Sequence, residues 1–241
     1  MLKNSVNLYG LDISDVSLER AREIARVSLS GGESRVFFTP NLEMLDRARR
    51  NEDTRRILNS ASVLLPDGAG VLLASRLVGE PIKHRVAGID FGEGLISLCE
   101  REEKGVFLLG SGEGVAKKAA KNLMKKHPNL KICGIHNGFF LPEDEDAIIE
   151  KIQDSNPDVL IVCMGFPRQE RFVSKHKNDF SEIKVITCLG GALDVWAGRT
   201  KRAPRVMQRA HLEWLWRIIN EPRRAKRFIS SLPSLFHALR N

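Results

Sequence analysis

The stretch VFLLGSGEGVAKKAA, residues 106–120, shows the arrangement that decides the fold. It begins with an apolar run typical of a strand buried on both faces and ends in a pattern with helical spacing. Gly110, Gly112 and Gly114 lie between the two. Backbone amides in such a loop, together with the N-terminus of the following helix, can bind phosphate. A plain tight turn would have the same spacing, so these residues leave both interpretations open.

The same order of strand and helix recurs along the chain and predicts an α/β fold. Strands that are apolar throughout, each followed by a helix, indicate a mainly parallel, Rossmann-like sheet with helices on both faces. Residues 6–13 alternate in polarity and predict an additional strand or a hairpin. The predicted strands are 36–39, 63–65, 106–109, 130–135, 159–164 and 185–189. The predicted helices are 18–30, 41–61, 68–78, 89–101, 115–127, 143–154 and 168–177.

The end of the chain differs from the rest in charge. Residues 198–241 contain eleven Lys and Arg residues against two Glu, a net charge of +9, whereas the whole chain of 241 residues carries +8. The segment has helical patterns interrupted at Pro222 and Pro233, and no strand pattern. We therefore predict an α/β domain, residues 1–197, and a basic helical C-terminal appendage, residues 198–241.

The appendage combines its cations with aromatic side chains, among them Trp214 and Trp216. Nucleic acid, an anionic membrane surface or a diphosphate would each fit such a segment. A solvated helical face without a partner is the simpler interpretation, and the density of charge makes it the weaker one. The charge pattern thus predicts a polyanionic partner without naming it.

The chain has no pattern of a membrane span, a secretory signal or a metal-binding cysteine motif. Its longest apolar run is 159–166, far short of the roughly 20 residues that cross a bilayer. The first residues lack the apolar stretch of a signal peptide, so we expect a cytoplasmic protein. The four cysteines are far apart in sequence, which predicts buried, reduced thiols rather than a zinc site or a disulfide framework.

Polar residues and glycines follow the predicted strands, where a parallel sheet binds its ligands. Asn41, Asp67 and Gln169 each come shortly after a strand, and Gly138 and Gly191 lie in two further loops of this kind. A carboxylate at this edge, such as that of Asp67, could act as a general base toward a hydroxyl group. The sequence Pro-Asp-Gly is also an ordinary turn, so the residues alone do not decide the role of Asp67.

The sequence argues against two familiar kinds of site, a dinucleotide-binding loop and a metal-binding acidic triplet. The third glycine of the loop at 110–114 comes one place too early for the dinucleotide fingerprint, and no acidic residue ends the next strand to bind a ribose. Asp144-Glu-Asp146 could be taken for a metal-binding triplet, but acidic residues that open a helix explain it fully. We therefore predict neither a nicotinamide cofactor nor a metal site.

Several motifs, taken in order, resemble the WecG/TagA/CpsF family of bacterial glycosyltransferases. Each motif alone is weak, whereas the ordered set covers nearly the whole chain. His211 and Arg168 depart from residues frequent in the family, outside the expected chemistry. The motifs are TPNLEML (39–45), LPDGAGV (65–71), HRVAGIDF (84–91), VFLLGSGEGVAKKAA (106–120), MGFPRQE (164–170), LGGALDVWAGRTKRAPR (189–205) and LEWLWRIINEPRR (212–224).

The resemblance implies an inverting, metal-independent transferase without a cofactor. The expected donor is a UDP-hexose, first of all UDP-N-acetylmannosamine, with its uronate, UDP-glucose and UDP-glucuronate as alternatives. The expected acceptor is N-acetylglucosamine on undecaprenyl diphosphate, in the synthesis of a wall teichoic acid, common antigen or capsule. The resemblance also implies peripheral attachment to the inner face of the membrane through the appendage, and self-association in solution.

The resemblance further implies roles for individual residues. Asp67 is the expected catalytic base. Substrate binding is expected of Thr39, Asn41, Arg85, Gln169, Glu170, Arg217, Arg224 and Arg227. Nucleotide binding is expected of Gly110, Ser111, Gly112, Gly138, Gly191 and Asp194. A nucleic-acid-binding α/β protein and a nucleotide-sugar epimerase are the alternatives; the first would not explain the polar sheet edge, and the second would need a redox cofactor or its equivalent. We therefore expect no nucleic-acid partner.

Overall fold

A computed structural model describes residues 4–210, 212–220, 225, 229–233 and 235. The strands are β1 (Ser5–Leu8), β2 (Leu11–Ser14), β3 (Arg35–Phe38), β4 (Val63–Leu64), β5 (Gly105–Gly110), β6 (Lys131–His136), β7 (Val159–Cys163) and β8 (Val185–Cys188). The first helices are α1 (Leu18–Leu29), α2 (Leu42–Arg50), α3 (Glu52–Asn59), α4 (Ala69–Leu77), α5 (Gly88–Arg101) and α6 (Val115–Lys126). They are followed by a 3-10 helix (Pro142–Asp144), α7 (Glu145–Asp154), α8 (Arg168–His176), α9 (Ala192–Trp196), α10 (Arg205–Arg209) and α11 (Glu213–Asn220).

The chain divides into two compact units. The first consists of Met1–Leu18, Thr39–Ala87 and Arg202–Asn241, and the second of Glu19–Phe38 and Gly88–Lys201. No helix among the described residues is long and apolar enough to cross a membrane. The division into an α/β domain, residues 1–197, and an appendage, residues 198–241, separates the chain by its proposed roles and remains a prediction.

The second unit contains the parallel sheet that the sequence predicts. Five of its strands lie in the order β3-β8-β7-β5-β6, and each neighbouring pair is parallel. Successive side chains of a strand point to opposite faces of a sheet. Every residue of β5, β7 and β8 is buried, so both faces of the sheet are covered. The α/β fold class is therefore confirmed, and the ends of the predicted strands differ from the observed ones by at most one residue.

The register of the sheet brings three loops together at its carboxyl edge. Gly110 at the end of β5 lies opposite Cys163 at the end of β7. Val162 of β7 lies opposite Cys188 at the end of β8. The loops that follow these strands therefore start side by side, as expected for the ligand-binding edge of an open parallel sheet.

The first unit begins with a hairpin, one of the two outcomes predicted for its opening residues. β1 and β2 are antiparallel, and Tyr9 and Gly10 turn the chain with φ values of 55° and 81°. Positive φ at both central residues belongs to the turn whose twist matches that of a hairpin. The hairpin buries Leu8 and Leu11, which anchor it to this unit.

The prediction of one helix over residues 41–61 is wrong. The chain breaks at Asn51, whose backbone is extended, with φ −138° and ψ 114°. The side-chain oxygen of Asn51 accepts a hydrogen bond of 2.7 Å from the backbone N–H of Thr54 and so caps α3. Asparagine is among the preferred N-cap residues because this bond satisfies one of the free N–H groups of the first turn.

The prediction that all four cysteines are buried is also wrong in one case. All four are free thiols, and three of them are buried, but Cys133 is exposed. Cys133 lies on β6, which ends the strand order on one side of the sheet. All six residues of the central strand β5, by contrast, are buried. An edge strand is covered less completely than a central one, which exposes the thiol.

Candidate active site

Backbone hydrogen bonds in the first unit bring three predicted segments together around Asp67. The N–H of Asp67 donates to the carbonyl oxygen of Pro40 at 3.0 Å. The N–H of Val86 donates to the carbonyl oxygen of Pro66 at 2.9 Å. Asp67 therefore follows β4 at a point held between residues 39–41 on one side and residues 85–86 on the other, and it remains partly exposed.

The start of α2 positions Asn41 beside this turn. The side-chain oxygen of Asn41 accepts a hydrogen bond of 3.1 Å from the N–H of Met44 and caps the helix. Because its oxygen is used in this way, a contact between Asn41 and a substrate would come from the NH₂ group. Gly68, next to Asp67, has φ 92°, a value that favours glycine, and it leads directly into α4.

Arg85 takes part in a buried cluster of charges within the same unit, which we call the Glu213 cluster. Its guanidinium donates to the Glu213 carboxylate, with Nη1 3.0 Å from Oε2. Arg202 donates to the other oxygen of Glu213, with Nε 3.3 Å from Oε1. The side chains of Arg85 and Glu213 are each 11% exposed. The cluster thus fastens the start of α11 to the segment that follows Asp67.

Burial and charge act on Glu213 in opposite directions. Burial by itself would raise the pKa of this carboxyl. The hydrogen bonds and positive charges of Arg85 and Arg202 outweigh that effect and hold the pKa of Glu213 below its usual value. Glu213 is therefore ionised at neutral pH and balances one of the two guanidinium charges.

The glycine loop after β5 is held in the second unit by its own backbone. The N–H of Ser111 donates to the carbonyl oxygen of Cys163 at 2.9 Å, and the N–H of Gly138 donates to that of Ser111 at 2.8 Å. Gly110 has φ 136°, and a Cβ atom there would lie 2.3 Å from the Cys163 carbonyl oxygen. Only glycine fits this approach. The N–H groups of Ser111 and Gly138 thus set the shape of the loop rather than remaining available to a phosphate.

The side chain of Ser111 connects this loop to α9. Its hydroxyl donates to Asp194, with Oγ 2.7 Å from Oδ2. Arg199 also lies here, with Nη1 3.8 Å from the other oxygen of Asp194 and 3.3 Å from the position that a Cβ of Gly112 would occupy. The Arg199 side chain is 65% exposed, so the glycine loop has an accessible guanidinium beside it.

Gln169 joins the loops that follow β7 and β8. Its side-chain oxygen accepts two hydrogen bonds of 3.1 Å, from the N–H groups of Gly165 and Gly190. Its NH₂ group donates to Glu170, with Nε2 2.7 Å from Oε1. Gln169 is 4% exposed and Glu170 is 1% exposed. Both side chains therefore lie in the interior, and Gln169 fixes the two loops directly.

Comparison with known proteins decides the family. A model of the glycosyl transferase WecG/TagA/CpsF family matches residues 6–241 of this chain. The chain belongs to this family. It is therefore a glycosyltransferase, and the resemblance of its motifs is confirmed.

Curated relatives of this WecG/TagA/CpsF family member have one name in common. Each is an N-acetylglucosaminyldiphosphoundecaprenol N-acetyl-β-D-mannosaminyltransferase. The protein of Bacillus spizizenii is 35% identical over 84% of this chain and 77% of its own length. That of Bacillus subtilis is 35% identical over 81% and 75%, respectively. That of Staphylococcus aureus is 30% identical over 97% and 91%.

The site residues expected in this glycosyltransferase fall into two groups. The structure brings Thr39, Asn41, Asp67 and Arg85 together in the first unit, and Ser111, Gly138, Gln169 and Asp194 lie at the sheet edge of the second. Gly191 is exposed in the loop after β8. Arg224 and Arg227 lie outside the described residues, and so does the side chain of Arg217. The roles of all these residues remain predictions.

Sequence reasoning missed two contributors to these groups. Arg199 was counted in the basic appendage, and nothing in its sequence position places it beside a glycine loop far earlier in the chain. Glu213 appeared only as one of two acids in the appendage. The local sequences, Ala-Gly-Arg around Arg199 and Leu-Glu-Trp around Glu213, do not indicate which charged side chains the two residues contact.

The acidic triplet at 144–146 serves the start of a helix in this glycosyltransferase. The side chain of Asp144 accepts a hydrogen bond of 3.1 Å from the N–H of Leu141. Glu145 and Asp146 lie in the first turn of α7, where negative side chains interact favourably with the positive end of the helix dipole. Among the described residues, no group of three or more His, Cys, Asp or Glu side chains could hold a metal ion.

Glu170 predicts an unusual dependence of stability on pH. Burial raises the pKa of this carboxyl from 4.5 to about 7, and its Oε2 atom has no hydrogen-bond partner among the described residues. Because the folded state holds the proton more tightly than the unfolded chain, stability falls as the pH rises from about 4.5 to about 7. At pH 8, Glu170→Gln is expected to raise the free energy of unfolding by about 1–3 kcal/mol.

Urea denaturation at pH 5 and pH 8 measures this effect. The gain from Glu170→Gln should be small at pH 5 and appear at pH 8, because only the ionised carboxylate is costly in the interior. Glu182→Gln, at an exposed position, is the matched control and should behave like the wild type at both pH values. A variant at position 170 that is less stable at pH 8 would show that the carboxylate has a favourable partner.

Proposed function

We propose that the protein transfers N-acetylmannosamine from UDP-N-acetylmannosamine to N-acetylglucosamine on undecaprenyl diphosphate, in the synthesis of a wall teichoic acid-type polymer. The names of the relatives support this acceptor and this sugar. One observation supports the chemistry more than any other. Asp67, a partly exposed residue, lies in a turn whose backbone is held by hydrogen bonds between the segments that carry Asn41 and Arg85.

The proposed reaction is a single displacement. Asp67 accepts the proton of the acceptor hydroxyl. At the same time the oxygen of that hydroxyl attacks the anomeric carbon of the donor sugar, on the face opposite the nucleotide. A new carbon–oxygen bond forms, the bond to UDP breaks, and UDP leaves with the bonding electrons. The configuration at the anomeric carbon inverts, which gives the β linkage in the relatives' names from an α-linked donor. Asp67 then releases the proton to solvent. General base catalysis by a positioned carboxylate contributes about 10²- to 10⁴-fold to such a step.

Arginines are proposed to meet the negative charge that develops on UDP. Guanidinium groups match diphosphate oxygens in geometry and stay charged at any physiological pH. Arg199 is proposed to bind a diphosphate in the second unit, which its exposure beside the glycine loop supports. Arg217, Arg224 and Arg227 of the appendage are proposed to engage the diphosphate as well, as the family resemblance implies. In this scheme the arginines supply the charge stabilisation that other transferases obtain from a metal ion.

Membrane attachment is proposed to follow from the acceptor and the appendage. The acceptor in the relatives' names carries an undecaprenol chain, which is a membrane lipid. The net charge of +9 in residues 198–241 favours the negatively charged cytoplasmic face of a bilayer. We propose peripheral attachment to that face, and self-association of the protein in solution.

A panel of donors tests the proposed function. The purified protein is incubated with UDP-N-acetylmannosamine, its uronate, UDP-glucose and UDP-glucuronate, each with a synthetic lipid diphosphate carrying N-acetylglucosamine, and products are detected by mass. We expect one added N-acetylhexosamine with the first donor, and an unchanged rate after EDTA treatment. Product with another donor alone would reassign the sugar. Dependence on added magnesium would contradict the metal-independent scheme, and the absence of product with all four donors would contradict the proposed function.

A further inference from the structure

Helix α6 has an unusual concentration of positive charge. Its twelve residues include five lysines and no acidic residue. All five are exposed, and none forms an ion pair with an acidic side chain in the part of the chain that the structure describes. Like charges three or four positions apart on a helix repel each other, so this arrangement opposes helix stability. The lysines are 117, 118, 121, 125 and 126.

A cleft beside these lysines is apolar. It has a volume of about 560 Å³ and lies between α6 and the edge strand β6 of the same unit. Met124, Ile132 and Ile135 contribute apolar side chains to its lining, and no acidic side chain lines it. Met124 is 42% exposed. Three of the lysines also line it, namely Lys117, Lys118 and Lys121.

The chemistry of this surface fits an amphiphile with an anionic head group. Ammonium groups bind phosphate oxygens, while the apolar side chains offer contact to hydrocarbon. Single-stranded nucleic acid would be expected to use aromatic side chains for stacking, and the cleft lining contains none. The combination of uncompensated cations with an exposed apolar cleft therefore favours lipid over nucleic acid.

We propose that the α6–β6 surface, made up of the five lysines and this cleft, binds anionic phospholipid at the membrane surface. It would be a second bilayer contact of the enzyme, distinct from residues 198–241. The proposal rests on the proposed function only in that the acceptor is a membrane lipid. It assigns these lysines to retention at the bilayer and not to the chemical step.

Vesicle binding by the full-length chain tests this surface. The test variant is Lys117→Gln/Lys118→Gln/Lys121→Gln, and the matched control replaces Lys151, Lys177 and Lys184 by glutamine. Each is sedimented with vesicles of phosphatidylcholine alone and with added phosphatidylglycerol. We expect the partition coefficient of the test variant on phosphatidylglycerol vesicles to fall on the order of 100-fold, because each lysine near an anionic surface contributes roughly a factor of five. The control should stay within about threefold of the wild type.

The outcomes separate this proposal from the proposed function. Wild-type-like binding of the test variant to phosphatidylglycerol vesicles would overturn the proposal. An acidic protein would then be the next partner to test for this surface. An equal loss on vesicles of phosphatidylcholine alone would also overturn it, because the lysines would then not be acting on anionic lipid. Turnover with a short-chain, water-soluble acceptor and no vesicles should be unchanged in the test variant. If the wild type itself failed to turn over this acceptor, the proposed function would be contradicted. The vesicle result would not be affected.

Discussion

Replacement of Asp67 by asparagine is expected to lower turnover by a factor of about 10² to 10⁴. Asparagine has nearly the same shape as aspartate and suits the turn between Pro66 and Gly68 equally well. It cannot accept a proton from the acceptor hydroxyl. The backbone bonds that hold this turn, from Asp67 to Pro40 and from Val86 to Pro66, do not involve the side chain. The expected result is therefore a folded protein that binds its substrates and transfers sugar very slowly.

Steady-state kinetics with each substrate varied in turn measures this effect, with circular dichroism as the check on folding. The loss should appear in kcat, and KM for either substrate should change little, because the proton is transferred only in the reaction itself. Asp154→Asn, at an exposed position in α7, is the control and should retain the wild-type rate. A rate for Asp67→Asn within about threefold of the wild type would remove Asp67 as the base.

Much of the fold can be predicted from the sequence because buried strands have a strong pattern. All six predicted strands are present, since runs such as 159–163 are apolar at every position and few other structures bury such a run. Helix ends are a weaker signal. The break at Asn51 separates α2 from α3 within one continuous helical pattern, and the only local sign of it is an asparagine followed by two acidic residues. Helix α9 has five residues, too few for periodicity to be recognised.

The sequence predicts residues for the candidate site but not their contacts. The order of the strands places polar residues at the carboxyl edge, and the family motifs single out Asp67. What the sequence does not contain is the partner of each polar group. Gln169 and Glu170 are polar side chains that would ordinarily be expected at the surface, yet both are buried. The buried oxygen of Gln169 accepts from the Gly165 and Gly190 N–H groups, which come from two separate loops, and the carboxylate of Glu170 accepts from Gln169.

These contacts suggest that the polar residues near the site differ in kind. Asp67 is partly exposed, as the proposed role of a catalytic base requires. Gln169 has both ends of its amide engaged inside the protein and acts on the loops that it joins. A motif match treats the two alike, whereas burial separates a partly exposed group, which is open to a substrate contact, from a buried one that holds its surroundings. The two should also respond differently to mutation, with changes in rate for Asp67 and changes in stability for Gln169.

The largest loss of stability is expected from Glu213. Replacement of Glu213 by glutamine removes the negative charge between Arg85 and Arg202, whose guanidinium groups lie 3.0 Å and 3.3 Å from its oxygens. The Arg85 and Arg202 side chains are only 11% and 21% exposed, so water cannot fully replace the lost carboxylate. Removing one partner of a buried ion pair leaves an uncompensated charge, and we expect a loss of roughly 2–3 kcal/mol at pH 7.

The pH dependence of this loss has a defined sign. Because the Arg85 and Arg202 charges hold the pKa of Glu213 below its usual 4.5, the folded state binds this proton more weakly than the unfolded chain. The stabilisation is therefore complete above about pH 4.5 and is lost as the pH falls through the pKa of the folded state. The wild type and Glu213→Gln should differ most at neutral pH and converge in acid.

Denaturant unfolding across this pH range, with a double-mutant cycle, tests the Glu213 cluster. Arg85→Gln and Glu213→Gln should each be destabilising, and the double variant should lose less than the sum of the two, because the second change removes a partner already lost. Glu80→Gln, an exposed glutamate in the same unit, is the control and should change the free energy of unfolding by less than about 0.5 kcal/mol. Additive losses, or a wild-type stability of Glu213→Gln at pH 7, would show that the cluster does not fasten α11 to the segment beside Asp67. The proposed role of Arg217 at a diphosphate would then require another anchor for the helix that carries it.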